Sequence, residues 1–237
     1  MKQLLLYIKY AIQYSIDNKT LKHLKQFKRW YHDMHSGETT MSLCLPWMTY
    51  DAIDFLEDIT SVEMNVFEWG SGGSTLFFAS RCKQVISVEH DKEWSKVLNH
   101  KLLDLGYENV LLKEIEGEKI DDYFNLNPEN ADDCISKDYK SSGLSYEKYA
   151  KSIKQYDLNY FDIIVVDGRV RNACIKQAIP HIKKGGYLIV DNSDRSYYLS
   201  EFNFLNNKNE WEKREFMGPV FFQHSFSKTS IFRKLIN

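Results

Sequence analysis

Along most of the chain, short apolar runs alternate with amphipathic stretches. Asn65–Trp69 is an apolar run that stops at glycines; Gln84–Glu89 is a second and 109–115 a third. The fourth, 161–167, is apolar at nearly every position, as suits a strand buried on both faces. The fifth is 187–191. Between these runs, 74–81, 91–105 and 171–183 read as helices, the last closed by Gly185 and Gly186. Strands alternating with helices of this length predict a parallel sheet with right-handed crossovers. The tail differs. Runs 211–216 and 229–235, joined by a loop around Gly218-Pro219, predict an antiparallel hairpin at the sheet.

Before the first strand, 1–30 reads as one helix. Leu4, Leu5, Ile8, Ala11 and Ile12 recur at helical spacing, and Lys19, Lys22, Lys25, Lys28 and Arg29 follow. This predicts an amphipathic helix docked on the domain with a solvated basic face; contact with an anionic membrane surface is the alternative. Residues 31–45 form a connector, and 49–59 a helix capped by Thr49, with Ala52, Ile53, Leu56 and Ile59 on one face. Residues 117–160 break the rhythm. They are polar, carry Pro128 and Ser141-Ser142-Gly143, and hold one short helix near 145–156. Insertions of this length form lids or binding loops. The expected organisation is an N-terminal helical extension, 1–45, and a main domain, 46–237, with 117–160 as a lid-like insertion.

Composition narrows the class. The 237 residues are 43% hydrophobic and 27% charged, which is globular. Lys and Arg number 31 against 33 Asp and Glu, a net charge of -2, so the basic excess of a general nucleic-acid binder is missing. No nucleic-acid partner is expected. Cys44, Cys82, Cys134 and Cys174 have no CxxC spacing and read as reduced thiols. No apolar run approaches a transmembrane span. The opening MKQLLLYIKYAIQY is interrupted by Lys9 and lacks a small-residue cleavage site, so a cytoplasmic location is expected.

The chemistry gathers at strand ends. FEWGSGGST, 67–75, follows an apolar run and precedes a helix, so Gly70, Gly72 and Gly73 permit a sharp turn close to a ligand. Glu89 ends the next strand, where an acid can hold both ribose hydroxyls of an adenosine ligand. The dinucleotide fingerprint needs a glycine at 75, where Thr75 stands. Glu68 suits the sulfonium and ammonium of S-adenosyl-L-methionine better than a pyrophosphate. An NAD(P)-binding oxidoreductase and a non-catalytic cofactor-binding module are the competing readings.

Four segments then carry a resemblance: FEWGSGGSTLFFA, VISVEHDKEW, FDIIVVDGRVR and GGYLIVDNSDR. Together they resemble class I S-adenosylmethionine-dependent methyltransferases. More narrowly, they are similar to a bacterial group with a GSGGST turn, an SVEHD acid loop and a VDGRxR fourth strand, over about residues 43–235. The resemblance implies an α/β, Rossmann-like, seven-stranded and mostly parallel sheet with helices on both faces and the last strand antiparallel. It implies that Gly70, Ser71, Gly72 and Ser74 line the methionine end; Glu68 and Thr75 are further candidate cofactor-binding residues. Glu89 would hold the ribose, with His90 near the adenine.

Asp167 and the Asp191-Asn192 pair should emerge at the same edge. They look like the Mg²⁺ site of catechol-type and macrolide-sugar O-methyltransferases, which makes them candidate catalytic residues and metal ligands. The lysine base of the catechol-type enzymes would fall at 170, which is Val170. Arg169, Arg171 and Arg195 are candidate substrate ligands whose planar forks suit a carboxylate or phosphate. Plant glucuronoxylan methyltransferases, similar in their VDGxRG strand, act on an acidic sugar. The expected reaction is O-methylation of a small anionic or sugar-containing acceptor, a glycan included.

Overall fold

The computed structural model describes residues 2–236; Met1 and Asn237, the outer ends of the two expected segments, lie outside them. Helices α1 (Lys2–Asn18), α2 (Leu24–Asp33), α3 (Thr40–Leu43) and α4 (Tyr50–Ile59) precede the alternating region. That region runs β1 (Asn65–Trp69), α5 (Gly73–Ala79), β2 (Gln84–Glu89), α6 (Lys92–Asp104) and β3 (Val110–Glu114). The insertion holds β4 (Glu118–Lys119), β5 (Leu144–Ser145) and α7 (Glu147–Lys151). Then come β6 (Phe161–Val166), α8 (Arg171–Ala178), β7 (Ile182–Val190), β8 (Trp211–Gly218) and β9 (Ser227–Lys234).

Seven strands form one sheet in the order β3-β2-β1-β6-β7-β9-β8. The first five are mutually parallel, and β9 runs antiparallel to both β7 and β8. This is the expected Rossmann-like sheet with its last strand antiparallel. The order reverses between β1 and β6, so their carboxyl ends open a crevice.

Alternation within the strands divides the core. Ile163 and Val165 of β6 pack on one face with Tyr50, Ile53 and Leu56 of α4. Ile164 and Val166 pack on the other with Ala173, Cys174 and Ile175 of α8. All are fully buried, each stabilising the fold by about 1.5–3 kcal/mol for the larger side chains.

The N-terminal residues share this core. Tyr7, Ala11 and Trp30 join the α4 face, and Met41 packs with Leu76 of α5. Residues on both sides of position 45 thus contribute to the same apolar clusters. The insertion is equally integrated: Ala131, Cys134, Ile135, Tyr146, Tyr149, Ala150 and Ile153 are buried, and most pack against the α8 face.

Several local expectations are corrected. The single helix over 1–30 is two, because Lys19 turns left-handed at φ 49 just beyond α1. Its inward face is Tyr7 and Ala11, while Leu5, Ile8 and Ile12 face solvent. The connector 31–45 contains α3, whose capping box joins Thr39 and Ser42. Thr49 makes no side-chain cap; its hydroxyl donates to Phe216 O at 3.4 Å instead. Pro180 ends α8 early, and β7 then starts at Ile182 and runs through the glycine pair. A bulge between Phe161 and Ile163 absorbs the added residues.

Candidate active site

The first half of the crevice is built by the turn after β1. Gly70 has φ +93, and a Cβ there would stand 2.7 Å from Gly168 N. A Cβ on Gly73 would stand 2.2 Å from Leu45 O. These glycines let backbone approach backbone, whereas the same position on Gly72 meets only the Trp94 ring at 3.7 Å.

Glu68 lies beneath this turn. It is fully buried and outside the cavity lining, accepting hydrogen bonds from Ser74 Oγ at 2.8 Å and from Thr75 Oγ1. Thr75 Oγ1 in turn accepts from Gly72 N–H at 3.0 Å. Thr75 is thus a member of the turn's internal brace, and neither it nor Glu68 lines the cavity, in contrast to the expectation. Burial pushes the Glu68 carboxyl up to about 7, against the Thr75 and Ser74 hydroxyls.

Glu89 behaves differently. Ser71 N–H and Oγ–H donate to its Oε2 at 3.0 and 2.9 Å. The N–H groups of His90 and Asp91 donate to Oε1, each at 2.8 Å. Burial opposes its charge, but these donors and the His90 ring outweigh burial and hold the carboxyl below its ordinary value. Glu89 is therefore ionised, and its lone pairs are already occupied. Asp91 caps α6 by accepting from Glu93 and Trp94 N–H, and Trp94 Nε1–H donates to Ser71 O at 2.8 Å.

The second half forms where β6 and β7 end. Asp167 Oδ1 lies 2.8 Å from Arg171 Nη2, with 19% of the Asp167 side chain exposed. Burial raises its carboxyl above the usual range against the pull of Arg171, and nearby Asp191 and Glu68 raise it further. Arg171 also donates to the carbonyls of Asp167, Gly168 and Asp191, the last at 2.6 Å. It clamps the two strand ends together and has little left for a substrate. Asp191 accepts from Thr229 Oγ1–H at 2.6 Å, and Asn192 Nδ2–H donates to Ser227 Oγ at 3.0 Å.

Val170 stands between the arginines at φ 41, a left-handed conformation rare for a β-branched residue. Beyond it the two arginines separate. Arg169 leaves the strand ends, donating from Nη1 to Asp138 Oδ2 of the insertion at 2.6 Å and from Nε to His90 Nε2 at 2.9 Å. Because Nε2 accepts, the ring proton of neutral His90 sits on Nδ1, 2.7 Å from Glu89 Oε1.

These residues border a cavity of about 500 Å³. Gly70, Ser71, Gly72, Gly73, Ser74, Glu89, His90 and Asp91 line one side, and Asp167, Gly168, Arg169, Arg171, Asp191 and Asn192 the other. A second cavity of about 520 Å³ shares Gly168, Arg169 and Arg171 with it and is completed by Lys137, Asp138, Arg195, Tyr197 and Tyr198. Arg195 thus lies in the second cavity only. Its Nη1 donates to Tyr198 OH at 2.8 Å, and it has no carboxylate partner among the described residues.

Thr40, Trp47, Trp94 and Gln223 also line the first cavity, and sequence reasoning gave none of them a binding role. Thr40 and Gln223 carry no sequence signal. The exposed Trp47 and Trp94, at 52% and 39%, offer one only once their solvent exposure is known.

The expected Mg²⁺ ligands do not fit a metal. Asp167 is paired to a guanidinium, and Asp191 is 2% exposed and accepts from Thr229 Oγ1–H, so neither carboxylate is free for a metal. No cluster of three His, Cys, Asp or Glu suited to a metal occurs among the described residues. None of their helices is long and apolar enough to cross a membrane.

No protein-family model and no curated protein matches the chain. Solved structures do. A putative O-methyltransferase from Klebsiella pneumoniae is similar at TM-score 0.56 and 15% identity, over 95% of this chain and 99% of that one. The O-methyltransferase from Bacillus cereus, in complex with SAH, is similar at TM-score 0.54 and 11% identity, over 87% and 99%. An rRNA methylase from Streptococcus thermophilus is similar at TM-score 0.53 and 16% identity, over 77% and 93%. The fold of this chain is that of these methyltransferases.

Proposed function

We propose that this chain is an S-adenosylmethionine-dependent methyltransferase that methylates an oxygen of a small anionic or sugar-containing acceptor. The observation that carries the reading is the first cavity. It sits at the strand-order reversal, holds an ionised Glu89, and has its two arginines each paired with a carboxylate. A pyrophosphate would find no unpaired guanidinium there, whereas a sulfonium suits acidic walls. This favours the adenosyl cofactor over NAD(P). The Bacillus cereus protein of the same fold is in complex with SAH, which supports the same choice.

Ser71 Oγ occupies the place on Glu89 Oε2 that a ribose hydroxyl would take. Ribose binding then exchanges one hydroxyl donor for another, and the three backbone N–H groups keep the carboxylate in position. The Trp94 ring stands beside Gly72 in the cavity wall.

The cofactor supplies a methyl group made electrophilic by its sulfonium. Asp167 is the residue suited to remove the acceptor's proton. Its raised carboxyl pKa brings it towards the working pH, where a general base is most effective. The acceptor oxygen forms the new bond to carbon, the carbon–sulfur pair stays on sulfur, and the proton passes to Asp167. Much of the rate comes from orientation in the crevice. Arg195 of the second cavity, which has no carboxylate partner among the described residues, would hold an anionic group on the acceptor, and Tyr197 and Tyr198 would stack on its ring. No step runs through Mg²⁺.

Calorimetry with S-adenosylhomocysteine tests the cofactor; one site per chain supports the reading, and no heat at millimolar ligand rejects it. A panel of phenols, uronic acids and sugar phosphates, assayed by S-adenosylhomocysteine release, tests the acceptor class. Turnover restricted to uncharged acceptors would reject an anionic acceptor.

A further inference from the structure

The N-terminal helix pair presents a second apolar surface that the domain does not cover. Helix α1 packs inward through Tyr7 and Ala11, 2% and 7% exposed. On its other side Leu5, Ile8, Ile12 and Ile16 recur at spacings of three and four, so they form one stripe. They are 63%, 42%, 56% and 66% exposed, and Leu21 and Leu24 extend the stripe at 63% and 53%. A groove of about 660 Å³ runs between α1 and α2 beside these side chains.

The charge around the stripe is one-sided. Residues 1–30 hold seven Lys and Arg against the single acid Asp17, in a chain whose net charge is -2. Arg29 is paired with Asp54 at 2.7 Å, but Lys9, Lys19, Lys22 and Lys28 make no ion pair among the described residues. All four are exposed. A second copy seated on this face would bring the same lysines against one another. A surface of negative headgroups over an apolar layer answers both features together.

We propose that α1 and α2 dock the protein on an anionic lipid bilayer, the isoleucine stripe entering the acyl boundary and the lysines contacting headgroups. At 17 residues with apolar side chains on both faces, α1 lies along the surface and does not span. The pair is anchored to the domain. Trp30 Nε1–H donates to Gln223 O at 2.9 Å, and the Tyr7 ring lies 5.3 Å from Phe226. Gln223 also lines the first cavity, so one loop holds the docking helices and the cavity wall. The inference does not depend on what that cavity binds.

Flotation of the full chain with vesicles tests it. Phosphatidylcholine vesicles containing about 30% phosphatidylglycerol should bind about tenfold more protein than phosphatidylcholine alone at low salt, and the excess should vanish near 0.5 M salt. The double substitution Ile12→Glu/Ile16→Glu, at exposed positions, should abolish binding while the circular dichroism melt stays unchanged. Lys22→Glu/Lys28→Glu should weaken it about thirtyfold or more. Three results would each overturn the proposal. One is no binding to the anionic vesicles at low salt. Another is undiminished binding by the isoleucine variant. The third is a dimer in light scattering that the isoleucine variant dissolves without any lipid binding, which would give the face to a second copy.

Discussion

The two halves of the crevice are made by different means. In the β1–β2 half, bracing partners are near in sequence: Thr75 lies seven residues from Glu68, and Ser71 eighteen from Glu89. In the β6–β7 half most are distant, although Asp167 and Arg171 are four residues apart. Asp138 lies 31 residues from Arg169, Ser227 35 from Asn192 and Thr229 38 from Asp191, while His90 and Arg169 are 79 apart. The first half keeps an ionised acid among hydrogen-bond donors, and the second pairs Asp167 with Arg171 and Arg169 with Asp138. A local network can be rebuilt from one motif, whereas a long-range network depends on the whole sheet being assembled. Binding and chemistry should therefore respond separately to substitution.

Asp167→Asn gives the widest separation. Methyl transfer should fall by about 10²–10⁴, the range for a removed proton acceptor, while S-adenosylhomocysteine affinity stays within about threefold. Calorimetry beside a turnover assay reads both; a parallel loss of affinity would merge the two halves into one site. Gly73→Ala tests the first half's dependence on backbone contact. Its methyl would meet Leu45 O at 2.2 Å, so urea unfolding should show a loss of about 3 kcal/mol. Gly72→Ala, facing the Trp94 ring at 3.7 Å, should cost less than about 1 kcal/mol.

Glu68→Gln tests the buried acid. A carboxyl raised from 4.5 to about 7 holds its proton more tightly folded than unfolded. Its favourable contribution is complete at low pH and is lost as pH rises from about 4.5 through about 7, by up to about 3 kcal/mol. Melting curves from pH 4 to 8 should show the wild type losing stability relative to the variant as pH rises; parallel curves would mean an ordinary carboxyl. Arg169→Gln should have the smallest effect. The Arg169–Asp138 pair is 29% and 28% exposed, so stability should change by less than about 1 kcal/mol. Acceptor KM should stay within about twofold, because the unpaired guanidinium of the second cavity is Arg195, and a several-fold rise would bring Arg169 into acceptor binding.

The same division explains what could be read in advance. The five parallel strands and the tail hairpin follow from apolar runs and their spacing, and Gly70 and Glu89 from the ends of those runs. The burial of Glu68 was not legible. Residue type and position at a strand end are alike for an acid facing a ligand and one facing hydroxyls beneath a turn. Arg169 and Arg171 are two residues apart and look equivalent, yet a left-handed Val170 sends one to the insertion and the other across the strand ends. The break between α1 and α2 was hidden because the basic residues around it are good helix formers.

Sequence alone determined the alternating architecture, the sharp turn after β1, the acid closing β2 and the basic N-terminus, because each is set by residues close along the chain. Only the tertiary structure decided which charged groups remain available. It paired Asp167 with Arg171 and Asp138 with Arg169, left Arg195 without a carboxylate, and turned the isoleucines of α1 away from the core. The physical reason is that a side chain's charge and exposure depend on what packs against it, and those neighbours come from distant stretches of the chain.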